Sequence, residues 1–97
     1  MIVRVFRVAV PRALHQEFEC KFLSVSIPVV RSHVGLVSVT VGRPTRWAPD
    51  EYAMISTWED EGALVAFAGA DWSRAVIPEG MERYVADCSV HHYEVFG

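Results

Sequence analysis

Several side chains in this sequence have the chemistry to hold a small organic anion. Arg7 shares one face of an opening strand with Val3, Val5 and Ala9. A guanidinium on such a face needs a partner, because an unpaired buried charge is costly. Its planar fork suits an anionic oxygen of a phenolate or carboxylate ligand. The competing reading is an ion pair with Glu17, Glu82 or Glu94. Trp72, just before Arg74, offers a flat ring for stacking and an indole N–H to donate, although a core or interface aromatic would use the same features. Trp58, next to the acidic run Glu59-Asp60-Glu61, reads as a structural plug. His91 and His92 are adjacent on a closing strand, so they point to opposite faces and cannot chelate one metal together. One of them can serve a pocket as general base or hydrogen-bond donor, and the sequence leaves open which. His33 lies in a turn, and His15 sits at helical spacing from Glu19, a pattern too generic to define a metal site.

Other chemistries lack their signatures. No nucleophile elbow surrounds a serine or cysteine. The six glycines are scattered and make no phosphate cradle, so no nucleotide cofactor is expected. Cys20 and Cys88 are too few for a disulfide framework and read as free thiols of a cytoplasmic protein. Nine Lys and Arg against twelve Asp and Glu give a net charge of −3 and no basic face for nucleic acid. The apolar runs are far shorter than the ~20 residues of a membrane span, and Arg4 and Arg7 interrupt any leader-like stretch.

The elements that must position these residues follow from periodicity. Residues 2–10 alternate as a strand whose two faces are both mostly apolar, so both should be covered. Leu14, Phe18, Phe22, Val25 and Val29 form a helical stripe, which Pro28 should kink or end near Ile27. A turn at Ser32-His33-Val34-Gly35 leads into a second strand at 37–41. A proline-rich loop precedes a third strand at 52–58. Leu64, Phe67 and Ala68 mark a short second helix, and Asp71 is placed to cap another through Ile77. Pro78 and Gly80 break that helix, a further turn is expected at 81–84, and residues 89–96 close the chain as a strand. The order βαββαβ predicts one domain over 1–97, an α+β ferredoxin-like sandwich with an antiparallel sheet. Helices cover only one face of such a sheet, and a symmetric partner's sheet is the simplest cover for the other.

This arrangement resembles the antibiotic biosynthesis monooxygenase family. The resemblance spans nearly the whole chain. It is carried by Ile27-Pro28-Val29-Val30, by Gly35, by Tyr52-Ala53-Met54-Ile55-Ser56-Thr57-Trp58-Glu59-Asp60, by Ala63-Leu64-Val65-Ala66-Phe67, by Asp71-Trp72-Ser73-Arg74-Ala75 and by His92-Tyr93-Glu94-Val95. It implies a homodimeric α+β barrel with a pocket between sheet and helices in each subunit. It also implies cofactor-free oxygenase chemistry on a small planar aromatic or quinol-like molecule. In that pocket Trp72, Phe67, Tyr52 and Trp58 would bind substrate, Arg7 would steady its anion, and His91 or His92 would move a proton. A non-catalytic dimer that binds a small hydrophobic ligand is the alternative. A third reading, haem binding or degradation, is weakened because Arg7, Phe67 and Val76 stand where that branch of the family has asparagine, tryptophan and an axial histidine.

Overall fold

The computed structural model describes residues 1–97. The first strand, β1 (Ile2–Ala9), forms because β-branched and aromatic residues alternate without interruption. A continuous helical stretch over 12–31, here α1, follows Pro11. It is joined by a turn to β2 (Leu36–Gly42), and β3 (Glu51–Trp58) follows. The second helix, α2 (Glu61–Ala68), is capped by the Asp60 side chain, which accepts from the Ala63 N–H at 2.8 Å. The last strand is β4 (Asp87–Glu94), two residues earlier than its apolar pattern predicts.

The sheet is antiparallel with order β2-β3-β1-β4, the ferredoxin-like topology expected of βαββαβ. Strand register sorts the side chains. Ile2, Arg4, Phe6 and Val8 lie opposite Trp58, Ser56, Met54 and Tyr52 on one side, and opposite Glu94, His92, Val90 and Cys88 on the other. All of these share the face covered by the helices. Both helices lie there, with Phe18, Phe22, Tyr52, Leu64, Trp58, Met81 and Tyr84 in the buried core. Each such side chain contributes roughly 1.5–3 kcal/mol on burial. The other face carries Val3, Val5, Arg7, Ala53, Ile55, His91 and Tyr93, and no element of the chain covers it; Ile55 and Tyr93 are exposed. No helix is long and apolar enough to cross a membrane.

Two helical expectations are corrected. Of the kink or end expected near Ile27, the end does not occur; the helix runs on to Arg31. Instead, residues 22–26 form a π turn, in which the Ile27 N–H donates to the Phe22 carbonyl five residues back. Proline removes the donor that the Ser24 carbonyl would use and crowds it, and the widened turn accommodates both. The helix expected at 71–77 does not form. The Asp71 carboxylate accepts from the Ser73 N–H and hydroxyl and stops at one turn. A helix would also pair the Arg74 carbonyl with residue 78, but Pro78 has no N–H to give. That carbonyl is taken by a side chain from the sheet, described below. The turn at Glu82–Tyr84 is present as a single 3₁₀ turn.

Candidate active site

Between the sheet's inner face, α1, α2 and the irregular segment 71–85 lies a cavity of about 40 Å³. Its walls are apolar: Phe6 and Val8 from β1, Met54 from β3, Phe22 and Val30 from α1, Phe67 from α2, and Val76, Ile77 and Met81 from the segment that roofs it. Only three polar residues line it, namely Arg4, Ser26 and Ser56. Each is more than nine-tenths buried.

Arg4 dominates the electrostatics. It is 3% exposed, and no carboxylate lies within ion-pair distance of it. Nη1 donates to the Trp72 carbonyl at 2.8 Å and points to His92 Nε2 at 3.0 Å; Nη2 donates to the Arg74 carbonyl at 2.9 Å. The guanidinium lies over the Phe67 ring at 5.5 Å from its centroid. Burial pushes its pKa down to about 10, so it remains cationic at neutral pH. A guanidinium has five N–H donors, and three are used by these partners. Two therefore remain for a ligand, on a group whose orientation the carbonyls already fix.

The register places Ser56 and His92 directly across from Arg4 on its two neighbouring strands, which gives a polar row Ser56–Arg4–His92. Arginine cannot accept a hydrogen bond, so His92 Nε2 must carry the lone pair and Nδ1 the proton. Burial first, then the charges of Arg4 and His91, hold the His92 pKa below its ordinary value. The Trp72 ring meets the His92 ring edge-on at 4.9 Å. Trp58 Nε1 donates to Ser56 Oγ at 3.0 Å, and its ring stacks on Phe67 at 4.9 Å. The site is thus a neutral imidazole and a fixed cation at the edge of an apolar cavity.

A family model described as antibiotic biosynthesis monooxygenase matches residues 1–79. The chain belongs to the antibiotic biosynthesis monooxygenase family. Among solved structures, a protein assigned to this family from Nitrosomonas europaea superposes with a TM-score of 0.77 at 11% identity, covering 100% of both chains. Another from Deinococcus radiodurans gives 0.76 at 13% identity, over 100% of this chain and 94% of that one. The haem degrader MhuD of Mycobacterium tuberculosis, with two haems bound in its active site, gives 0.72 at 22% identity, over 98% and 95%. Identities this low speak for the fold. No curated protein matches the chain in sequence.

In this monooxygenase-family chain the residues singled out from sequence divide between the two faces of the sheet. His92 stands beside Arg4, Trp72 sits against His92, and Phe67 lines the cavity. Trp58 is fully buried behind Phe67 and Ser56, so it supports the cavity without lining it. Tyr52 lies under α1, where its hydroxyl donates to Glu19 Oε2 at 2.6 Å. Burial and that carboxylate push its pKa up, while the Tyr52 bond holds Glu19 low. Arg7 and His91 lie on the opposite face, because strand alternation turns every second residue away from the helices. Arg7 faces Glu51 at 3.7 Å rather than Glu17, Glu82 or Glu94.

The sequence reading missed Arg4. The signal was there: Arg4 interrupts a face of Ile2, Phe6, Val8 and Val10, which is more apolar than the face carrying Arg7. Ser56 and Ser26 had no signal beyond lying on buried stripes.

Proposed function

We propose that this chain is a cofactor-independent monooxygenase acting on a small planar aromatic or quinol-like substrate, working as a homodimer. The observation that supports this most directly is Arg4, a buried cation with two spare donors at an apolar cavity. Such a group needs an anionic oxygen, and an ionised phenol or enol supplies one together with a flat apolar ring. In this reading the substrate's hydroxyl displaces Arg4 Nη1 from the His92 Nε2 lone pair, and Nε2 then takes the acidic proton. Arg4 holds the resulting anion and lowers the cost of forming it. The electron-rich anion then gives an electron to dioxygen, the radicals combine into a peroxide anion at a carbon that still bears a hydrogen, and His92 returns its proton to make the hydroperoxide. Loss of water leaves a new carbonyl, so the substrate itself supplies the reducing electrons. The protein contributes orientation, a dry pocket and a charge partner. Phe67 provides a flat cavity wall for the ring, and Trp72, outside the lining, backs His92.

The dimer reading rests on the uncovered sheet face, where Val3, Val5, Ile55 and Tyr93 need a partner that the chain does not provide. Arg7 and His91 belong to that face.

Haem would come to this chain only through likeness of fold to MhuD. The residues present do not fit it. Val76, which the family resemblance sets at the axial position, lines the cavity, and no histidine, tyrosine or cysteine is among the lining residues. Haemin titration is expected to give no coordinated Soret band; a shifted band lost on His92→Ala would restore the haem reading.

Oxygen uptake tests the proposal directly. The purified protein is mixed with a panel of naphthols, anthrones and quinols, and oxygen consumption is followed with the product spectrum. Turnover is expected with at least one member and is expected to fall at least a hundredfold in Arg4→Met. Tight binding without oxygen uptake across the panel would leave a ligand-binding dimer as the function.

A further inference from the structure

The π turn in α1 has a consequence for what the cavity selects. An unbroken α-helix would carry the apolar stripe from Phe22 through Val25 to Val29. The π turn takes Val25 out of the lining and keeps Ser26 and Val30, at four-residue steps from Phe22, on its face; these three line the cavity together with Val29. A hydroxyl thus stands in the cavity wall among Phe22, Val29 and Val30. Ser26 is 6% exposed and takes part in none of the side-chain hydrogen bonds of the protein. No fully enclosed side-chain oxygen is left without a partner, so the Ser26 hydroxyl reaches the cavity space. Ser56 is in a similar position from the sheet. Its Oγ accepts from Trp58 Nε1, which leaves its own proton without an acceptor. It lies directly across from Arg4. No carboxylate lines the cavity. The polar lining is therefore rich in donors and lacks any obligate acceptor.

We propose that Ser26 and Ser56 are specificity-determining residues, which select a substrate that bears a carbonyl oxygen besides the anionic oxygen held by Arg4. The ligand class is an ionised hydroxyquinone or enolised 1,3-dicarbonyl on a flat ring system. A simple phenolate satisfies Arg4 and leaves the hydroxyls unpaired, which costs affinity in a buried site. This rests on the cavity being the substrate site, as proposed above.

The test compares two probes that are both anions at pH 8, 2-hydroxy-1,4-naphthoquinone and pentafluorophenol. Only the first has carbonyl oxygens. Dissociation constants are measured by calorimetry on the intact protein, Ser26→Ala and Ser56→Ala. Ser26→Ala is expected to weaken the hydroxyquinone by roughly fivefold to tenfold and to leave pentafluorophenolate within about twofold. Its melting temperature should stay at the native value, since the side chain bonds nothing in the protein. Ser56→Ala should shift the same ratio in the same direction and also lower the melting temperature, because Trp58 Nε1 loses its acceptor. Equal changes for both probes, or none for either, in Ser26→Ala would overturn the selectivity proposal while leaving the pocket intact. Binding of neither probe to the native protein, with Arg4→Met indistinguishable from it, would overturn the pocket reading itself.

Discussion

Arg4 Nη1 lies 3.0 Å from His92 Nε2, and this contact fixes both the tautomer and the charge of the imidazole. Protonating Nε2 would set two cations against each other beside an apolar cavity. Burial, then Arg4, then His91, all act to lower the His92 pKa. The protonation midpoint of His92, followed by its ring proton resonances, is expected below the ordinary histidine value. Arg4→Met should move it back up in part, because the charge is removed while burial remains. The sign for stability follows from linkage. Below the ordinary histidine pKa the unfolded chain takes up a proton that the folded site refuses. The contribution of His92 is therefore complete above that pH and is lost as pH falls toward the depressed folded value. A midpoint above the ordinary value would mean that Arg4 and His92 are not in contact in solution.

The two arginines of β1 should behave differently. Arg7 is half-exposed and faces Glu51 at 3.7 Å, a pair of the kind worth less than about 1 kcal/mol. Arg7→Ala should leave ligand affinity within about twofold, provided the dimer is kept. Arg4→Met removes the cavity's cation and leaves the carbonyls of Trp72 and Arg74 short of donors. Part of that loss is offset, because a buried charge no longer has to be desolvated. Stability is expected to fall by roughly 1–3 kcal/mol, and anion binding by at least tenfold. Calorimetry and denaturant melts measure both. The reverse ranking would place the ligand on the other face of the sheet.

The contrast between these arginines shows what was legible in the sequence. Alternation in β1 correctly divides residues 2–9 into two faces, and βαββαβ gives the sheet order that is observed. Alternation does not say which face meets the helices. Both faces are mostly apolar, one for the core and one left uncovered, and only the slightly more apolar neighbours of Arg4 set it apart from Arg7. The histidines posed the same ambiguity, and the register resolves it by placing His92 opposite Arg4. The segment 71–77 misled for a different reason. Asp71 and the apolar residues after it match a capped helix, but the Trp72 and Arg74 carbonyls are held by an arginine almost seventy residues away, which no local window contains. Ser26 lies four residues after Phe22 on a buried stripe, and nothing in its neighbourhood marks a serine there as a cavity hydroxyl.

The uncovered sheet face should be the dimer interface. A charge placed at its centre would be costly to bury and cheap to leave in water. Val5→Arg and Ile55→Glu are each expected to convert the dimer to a monomer on light scattering, with a lowered melting temperature. Val3, Val5 and Ile55 would then be exposed to solvent, so the variants should also aggregate more readily. A native protein that is monomeric at micromolar concentration would remove this reading of the face.

Gly35 joins α1 to β2 with φ +93°, a conformation that side chains rarely adopt. A Cβ there would also collide with the Ala63 Cβ on α2, and the Gly35 carbonyl accepts from the Glu59 N–H at 2.9 Å. The turn therefore pins the start of α2, the helix that carries Phe67. Gly35→Ala is expected to cost about 2–3 kcal/mol from strain and overpacking together. Ala63→Gly should recover part of it by making room, although the strain in φ would remain. Full recovery in the double variant would show that the collision alone matters. A single variant as stable as the native protein would show that the turn can be rebuilt.

Entry to the cavity should be limited by its roof. The space of about 40 Å³ has room for roughly three waters and is too small for an aromatic ring. Segment 71–81 is joined to itself by few backbone hydrogen bonds, among them Arg74 N–H to Asp71 O and Met81 N–H to Pro78 O. Its main tie to the sheet is the Arg4 guanidinium. Such a segment opens at lower free energy than the core strands beneath it. Stopped-flow mixing with an anionic quinone, read through tryptophan emission, should give association rates that level off at high ligand concentration. The plateau is the opening rate of the roof. Arg4→Lys keeps the charge but cannot grip both carbonyls with a planar fork, so its plateau should rise even as affinity falls. Rates that climb linearly with concentration, in native protein and variant alike, would mean that the roof is already open in solution.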